Sequence, residues 1–197
     1  MDKYMVLDER RNAIDFLTQS LTFLSMVEQN RFYLKWFIIA FHGAIYSFML
    51  LVLQGVNQDQ IYKVKPKYAQ GPIKEGELDL FDGFLIDFLK AYEYLQVAKH
   101  TNGHPYSQTS YQEACMKELN FKLRNQMVHF KPMVSAYEPW YPAEVCTPLL
   151  DVLRYCVKFE RNYLSIPERD TMVANLDAIE ILLTKQKKDG SYLDKAE

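Results

Sequence analysis

From Trp36 to Gln58 the chain carries no Asp, Glu, Lys or Arg. So long an uncharged, largely apolar run must leave water, because exposing apolar surface costs roughly 25 cal/mol per Å². Its most apolar part, Trp36 to Leu53, has about the length of a membrane-spanning helix. His42, Gly43 and Ser47 dilute it, and Gln54-Gly55-Val56-Asn57 beyond it lacks the basic anchors that flank many membrane helices. The run therefore reads as the central buried helix of a bundle, with a membrane span as the alternative and no membrane expected among the partners.

The rest of the pattern agrees with helices. Only 7 Gly and 8 Pro occur in 197 residues, and the apolar residues come in long uninterrupted stretches rather than short alternating ones. Periodicity and punctuation predict helices over about Asp8–Glu28, Arg31–Leu53, Leu78–Lys99, Tyr111–Phe130, Pro142–Tyr163 and Ser165–Lys185. The first buries Ile14, Leu17, Leu21 and Leu24, and the third buries Phe81, Leu85, Phe88, Leu89, Tyr92 and Leu95. Ala40, Gly43, Ala44 and Ser47 place small residues at i, i+3, i+4 and i+7 of the central helix, which lets a neighbour approach closely. Ser165 and Glu168 have the spacing of a capping box. The expectation is an all-α, single-domain bundle of about five to six helices over residues 1–185, with 186–197 a frayed C-terminal tail.

A formal charge of −2 excludes a polycation of the histone kind, so any nucleic-acid contact must be local. Cys115, Cys146 and Cys156 are odd in number and form no CxxC pair, which argues against a disulfide framework or zinc ribbon and for a reducing, cytoplasmic setting. The segment from Met1 through Asp8-Glu9-Arg10-Arg11 has no secretory apolar region. His100 and His104 have metal-pair spacing, but Gly103 and Pro105 argue against the helix such a pair would need.

Chemistry is concentrated in the fourth helix, in Arg124-Asn125-Gln126-Met127-Val128-His129. A guanidinium can grip phosphate through paired hydrogen bonds, and an imidazole can move protons near neutral pH. On a 3.6-residue wheel Met116, Leu119, Leu123, Met127 and Phe130 form the core stripe. Arg124, Asn125 and His129 fall opposite, beside Phe121 and Val128, a mixture suited to a two-fold contact between copies. Spacing alone also allows a local reading, in which Arg124 pairs with an acid and His129 satisfies carbonyls at the helix end. The connection from Gln54 to Glu77 interleaves Lys63, Lys65, Lys67 and Lys74 with Tyr62 and Tyr68, either a solvated loop or a contact for single-stranded nucleic acid.

The string Leu119 to Phe130, with Arg124, the polar Asn125 and His129, resembles the motif of HEPN-domain proteins. Lys35-Trp36-Phe37-Ile38-Ile39-Ala40-Phe41-His42-Gly43-Ala44-Ile45 is similar to the central helix of a group of uncharacterised bacterial HEPN-like proteins, and 132–142 with Trp140 is similar with altered spacing. Together these cover roughly half the chain. The resemblance implies a HEPN-like bundle that forms a homodimer across the motif helix, acting as a ribonuclease that needs no metal or other cofactor. Arg124 would hold the scissile phosphate, Asn125 would orient it or the imidazole, and His129 would transfer protons. Lys117, Lys122 and Lys131 would help capture RNA. A toxin or defence role would bring an antitoxin partner, such as a small nucleotidyltransferase. Related domains without cleavage imply the alternative, a helical dimer binding nucleotide, RNA or a protein partner through the same cleft.

Overall fold

A computed structural model of the chain describes residues 8–63, 84–129, 138 and 140–191. Among these residues the protein is a bundle of six helical runs. Helix α1 spans Glu9–Ser25 and is N-capped by Asp8, whose side chain accepts from the Arg11 N–H at 2.7 Å. Helix α2, Tyr33–Val56, is the central element. Helix α3 spans Phe88–Leu95. The fourth run is α4, Ser110–Glu118, a π-helical segment at Leu119–Arg124, and α5, Asn125–Val128. The fifth is α6, Trp140–Cys146, a 3₁₀ turn at Thr147–Leu149, and α7, Leu150–Lys158. Helix α8, Ile166–Ser191, closes the bundle.

The charge-free run is the core. Phe37, Phe41, Phe48, Ile45, Met49 and Leu53 are all fully buried in α2, and each such side chain contributes about 2 kcal/mol by leaving water. The most apolar eighteen-residue stretch of this helix is 78% buried inside the bundle. Helix α1 takes the small-residue stripe. Phe16 lies so close over Gly43 that a Cβ there would stand 2.7 Å from its ring, and Asn12 donates to the Ser47 hydroxyl at 3.3 Å. Leu17 and Leu24 are buried on the same face, with Ile14 and Leu21 packed at its margin. Helix α8 adds Met172, Leu176, Ile179 and Leu183.

Caps and corners explain where elements stop. Thr109 and Gln112 form a reciprocal capping box at α4, and Glu168 accepts from the Ser165 N–H at 2.9 Å as expected for α8. Buried Asn162 donates to the carbonyls of Cys156 and Val157 at 2.7 and 2.8 Å, sealing the end of α7. At the end of α2, Gly55 sits where a Cβ would fall 1.9 Å from the Arg161 carbonyl oxygen, so only glycine fits.

The third helix differs most from expectation. Of the predicted Leu78–Lys99, residues 78–83, including Phe81, lie outside the described residues, and the helix begins at Phe88. Phe84–Leu85 (β2) instead pairs antiparallel with Tyr62–Lys63 (β1), leaving Leu85 42% exposed rather than in the core. The cause is competition for backbone groups: the Ile86 N–H donates to the Ile61 carbonyl at 2.8 Å, and the Tyr46 hydroxyl donates to the Ile86 carbonyl at 2.5 Å. Helix α8 continues to Ser191 rather than ending near Lys185. Its last turns are tied by Lys185–Glu28 at 2.5 Å and Lys187–Glu144 at 2.9 Å. Residues 192–197 lie outside the described residues.

Candidate functional site

The motif helix is not a uniform α-helix. The π-helical segment Leu119–Arg124 admits an extra residue to the turn, which rotates the residues after it by about 100° relative to a 3.6-residue wheel. Leu119 and Leu123 keep their buried positions, while Phe121 remains 58% exposed. Arg124, expected on the outward face, is half-buried and turned against α2. It lines an open cleft with His42, Tyr46, Phe88 and Asn120.

His42 is the hinge of this arrangement. Its Nε2 lies 3.0 Å from Asn120 Oδ1, an oxygen that can only accept, so Nε2 carries the proton and Nδ1 keeps its lone pair. The ring stacks on Phe88 with centroids 4.1 Å apart and planes 18° from parallel. Burial, opposed by the Asn120 hydrogen bond and reinforced by the Arg124 charge, lowers the His42 pKa from 6.5 to about 4. The imidazole is therefore neutral at physiological pH. Burial and the Asp87 carboxylate raise the Tyr46 phenol, keeping it protonated as a donor.

Of the expected site residues, the structure brings Arg124 and Asn125 together, with Arg124 Nη1 donating to Asn125 Oδ1 at 3.0 Å. His129 follows the last turn in an extended conformation, is exposed, and donates its backbone N–H to the Asn125 carbonyl at 2.9 Å. Neither Asn125 nor His129 lines the cleft that Arg124 enters. Lys117 pairs with Glu113 at 2.5 Å and Lys122 with Glu118 at 2.9 Å. Such exposed i,i+4 pairs are worth a few tenths of a kcal/mol, so an incoming phosphate can displace either one. Lys131 lies outside the described residues, as do Lys65, Lys67, Tyr68 and Lys74. His100 stacks on Tyr94 at 4.2 Å and is hydrogen-bonded to Gln60.

Sequence reasoning missed His42 and Asn120 as site residues. The signal for His42 is a single imidazole in a helix without a formal charge over most of its length. Asn120 stands four residues before Arg124, but a 3.6-residue wheel gives no reason to pair either with α2.

No protein-family model, curated protein or solved structure matches the chain. Fold and site define, among the described residues, a helical bundle in which one irregular helix brings an arginine and an amide to a half-buried, neutral histidine.

Proposed function

We propose that the chain is a metal-independent endoribonuclease of the HEPN type, a toxin or defence component, working as a homodimer with the α4–α5 run at the two-fold axis. The observation that carries this reading is the state of Arg124. It is half-buried and braced by Asn125 at 3.0 Å, with exposed His129 just past the end of the helix and exposed Phe121 and Val128 beside it. A guanidinium fixed in this way gives preorganised donors for charge developing on phosphorus. Phe121 and Val128 offer the apolar surface that a second copy would cover.

In the proposed reaction a ribose 2'-oxygen attacks the adjacent phosphorus, and the bond from phosphorus to the 5'-oxygen breaks. The products are a 2',3'-cyclic phosphate and a 5'-hydroxyl. One neutral His129 of the dimer takes the 2'-hydroxyl proton, and the other copy, as imidazolium, gives a proton to the departing oxygen. Arg124 holds the non-bridging oxygens throughout. A second reading, a dimer that binds nucleotide, RNA or a protein partner without cutting, is favoured by one observation: His129 is absent from the cleft that Arg124 lines.

The test compares wild type, Arg124→Ala and His129→Ala on structured and single-stranded RNA with chelator present. The proposal expects cleavage by wild type and loss of about 10²-fold or more in each variant, with folding and dimerisation unchanged. A well-folded dimer that cuts no RNA leaves the binding reading in front. A strictly monomeric protein refutes the shared site.

A further inference from the structure

The corner between α1 and α2 carries the most exposed aromatic side chain among the described residues. Phe32 is 78% exposed, and Trp36, one turn further on, is 48% exposed, so the two are neighbours on one face of α2. The corner itself is fixed. The Phe32 N–H donates to Asn30 Oδ1 and the Tyr33 N–H to the Asn30 carbonyl, both at 3.0 Å, and Val27 and Leu34 on either side are buried. Two adjacent rings held in water on a fixed backbone leave apolar surface that an occupant would cover.

Charge narrows the occupant. Arg31 and Lys35 flank the rings, and among the described residues neither forms an ion pair. Lys35 Nζ stands instead over the Trp36 ring, 5.1 Å from its centroid, with Phe23 tilted beside that ring at 6.4 Å. Trp36 thus holds a cation in place. Phe32, which no other ring contacts among the described residues, is the ring whose face is open to stack. The nearest acid along the chain, Glu28, is paired with Lys185 at 2.5 Å. A positive corner with one open aromatic face matches an anion that carries a flat ring, which is an unpaired nucleotide. A bilayer would need a broader apolar face than this corner supplies.

The corner also continues toward Arg124. Lys35 precedes His42, and Trp36 precedes Gly43, by seven residues of an uninterrupted helix. Two turns keep each pair on one side of α2, about 10 Å apart, and His42 and Gly43 both line the cleft that Arg124 enters. We propose that the α1–α2 corner is a stacking site for single-stranded RNA, with one unpaired base on Phe32 and the adjoining phosphates at Lys35 and Arg31. This site rests on the reading of the chain as RNA-directed and adds to it the form of RNA that is taken. Base pairing hides the faces that stacking needs, so a duplex gains nothing from Phe32.

The experiment follows fluorescence anisotropy of a short labelled single strand, and of a duplex of the same length, titrated with the full chain carrying His129→Ala to prevent cutting. It is repeated with Phe32→Ala, Phe32→Leu, Phe32→Tyr and the pair Arg31→Gln with Lys35→Gln, and beside it vesicles containing phosphatidylserine are tested for binding. The single strand is expected to bind about tenfold more tightly than the duplex, to lose about tenfold in Phe32→Ala and Phe32→Leu, and to keep its affinity in Phe32→Tyr, because stacking needs an aromatic face rather than apolar bulk. The paired glutamine variant should flatten the fall of affinity with salt. Equal binding of strand and duplex, affinity unchanged in Phe32→Ala or Phe32→Leu, or vesicle binding that depends on Phe32 with no RNA bound overturns the proposal. Single-strand binding that depends on Phe32, in a protein whose wild type cuts no RNA, sustains the corner while the ribonuclease reading falls. Cleavage that depends on Arg124 and His129 and is unaltered by Phe32→Ala does the reverse.

Discussion

His42 ties the stability of the bundle to pH in a window where few other groups titrate. In the unfolded chain an imidazole takes up its proton near 6.5, whereas in the native protein burial holds His42 neutral down to about 4. Between those values the unfolded state binds the additional proton, so stability is complete above pH 6.5 and is lost as the pH falls toward 4. At ~1.4 kcal/mol per pKa unit the full effect is about 3 kcal/mol, and partial solvent access to the ring reduces it to about 2 kcal/mol. The groups facing His42 leave the direction unchanged: Arg124 disfavours the imidazolium, Asn120 favours it less strongly than burial opposes it, and Phe88 is uncharged. His100 is also lowered, chiefly by burial, and contributes in the same window. Glu144 and Glu168 are held below the ordinary carboxylate range by hydrogen bonds, from Lys187 and Ser165 foremost, and their contributions fade only below that range. Urea denaturation from about pH 7 to about pH 4.5 in wild type and His42→Gln isolates the His42 part, because glutamine keeps a donor for Asn120 without titrating. The wild type should lose about 2 kcal/mol more than the variant over that interval. Equal losses, or a His42 ring that titrates near 6.5 by NMR, would refute the reasoning.

Two further perturbations test packing and assembly separately. Gly55→Ala gains about 1 kcal/mol of helix propensity but puts a methyl 1.9 Å from the Arg161 carbonyl oxygen, so a net destabilisation of about 2–3 kcal/mol is expected from chemical denaturation; an unchanged midpoint would mean that the 159–165 corner does not rest on α2. Phe121→Glu alters a side chain that is 58% exposed in the single chain and should leave the circular dichroism spectrum unchanged while weakening the proposed dimer thirtyfold or more by sedimentation, as loss of about 2 kcal/mol at a buried interface aromatic would. An unaltered dimer would place the two-fold contact elsewhere.

The legible part of this protein is what periodicity and charge exclusion control. Trp36–Gln58 announces its removal from water because so long a charge-free run does not suit an exposed helix, and the Ala40–Ser47 stripe announces the close approach that α1 makes through Phe16. The start of the third helix is not legible, because the apolar spacing at Phe84–Leu85 fits an extended ladder as well as a helix. What chooses the ladder is a tertiary event, Tyr46 and Ile61 engaging the backbone at Ile86, and no local propensity encodes a partner forty residues away on α2. Asn162 is equally silent in the sequence, since its bonds to the α7 carbonyls depend on the corner that comes after the helix.

The site is illegible for a narrower reason. Assigning faces assumes a constant number of residues per turn, and that assumption holds through Glu118 and fails at Leu119. A π turn is uncommon and usually retained where it re-aims a side chain. Along it both leucines of the core stripe are buried, and Arg124 lies in the neighbourhood of His42 rather than on the outward face. Burying Leu119 and Leu123 does not require the irregularity, because residues four apart share a face on an ordinary helix. Asn120 and Arg124 are likewise four apart, and they share a face directed toward α2, with Phe121 left outside. The irregular turn and the polar cleft coincide along the chain, because Asn120 and Arg124 both lie within the π-helical segment and both line the cleft.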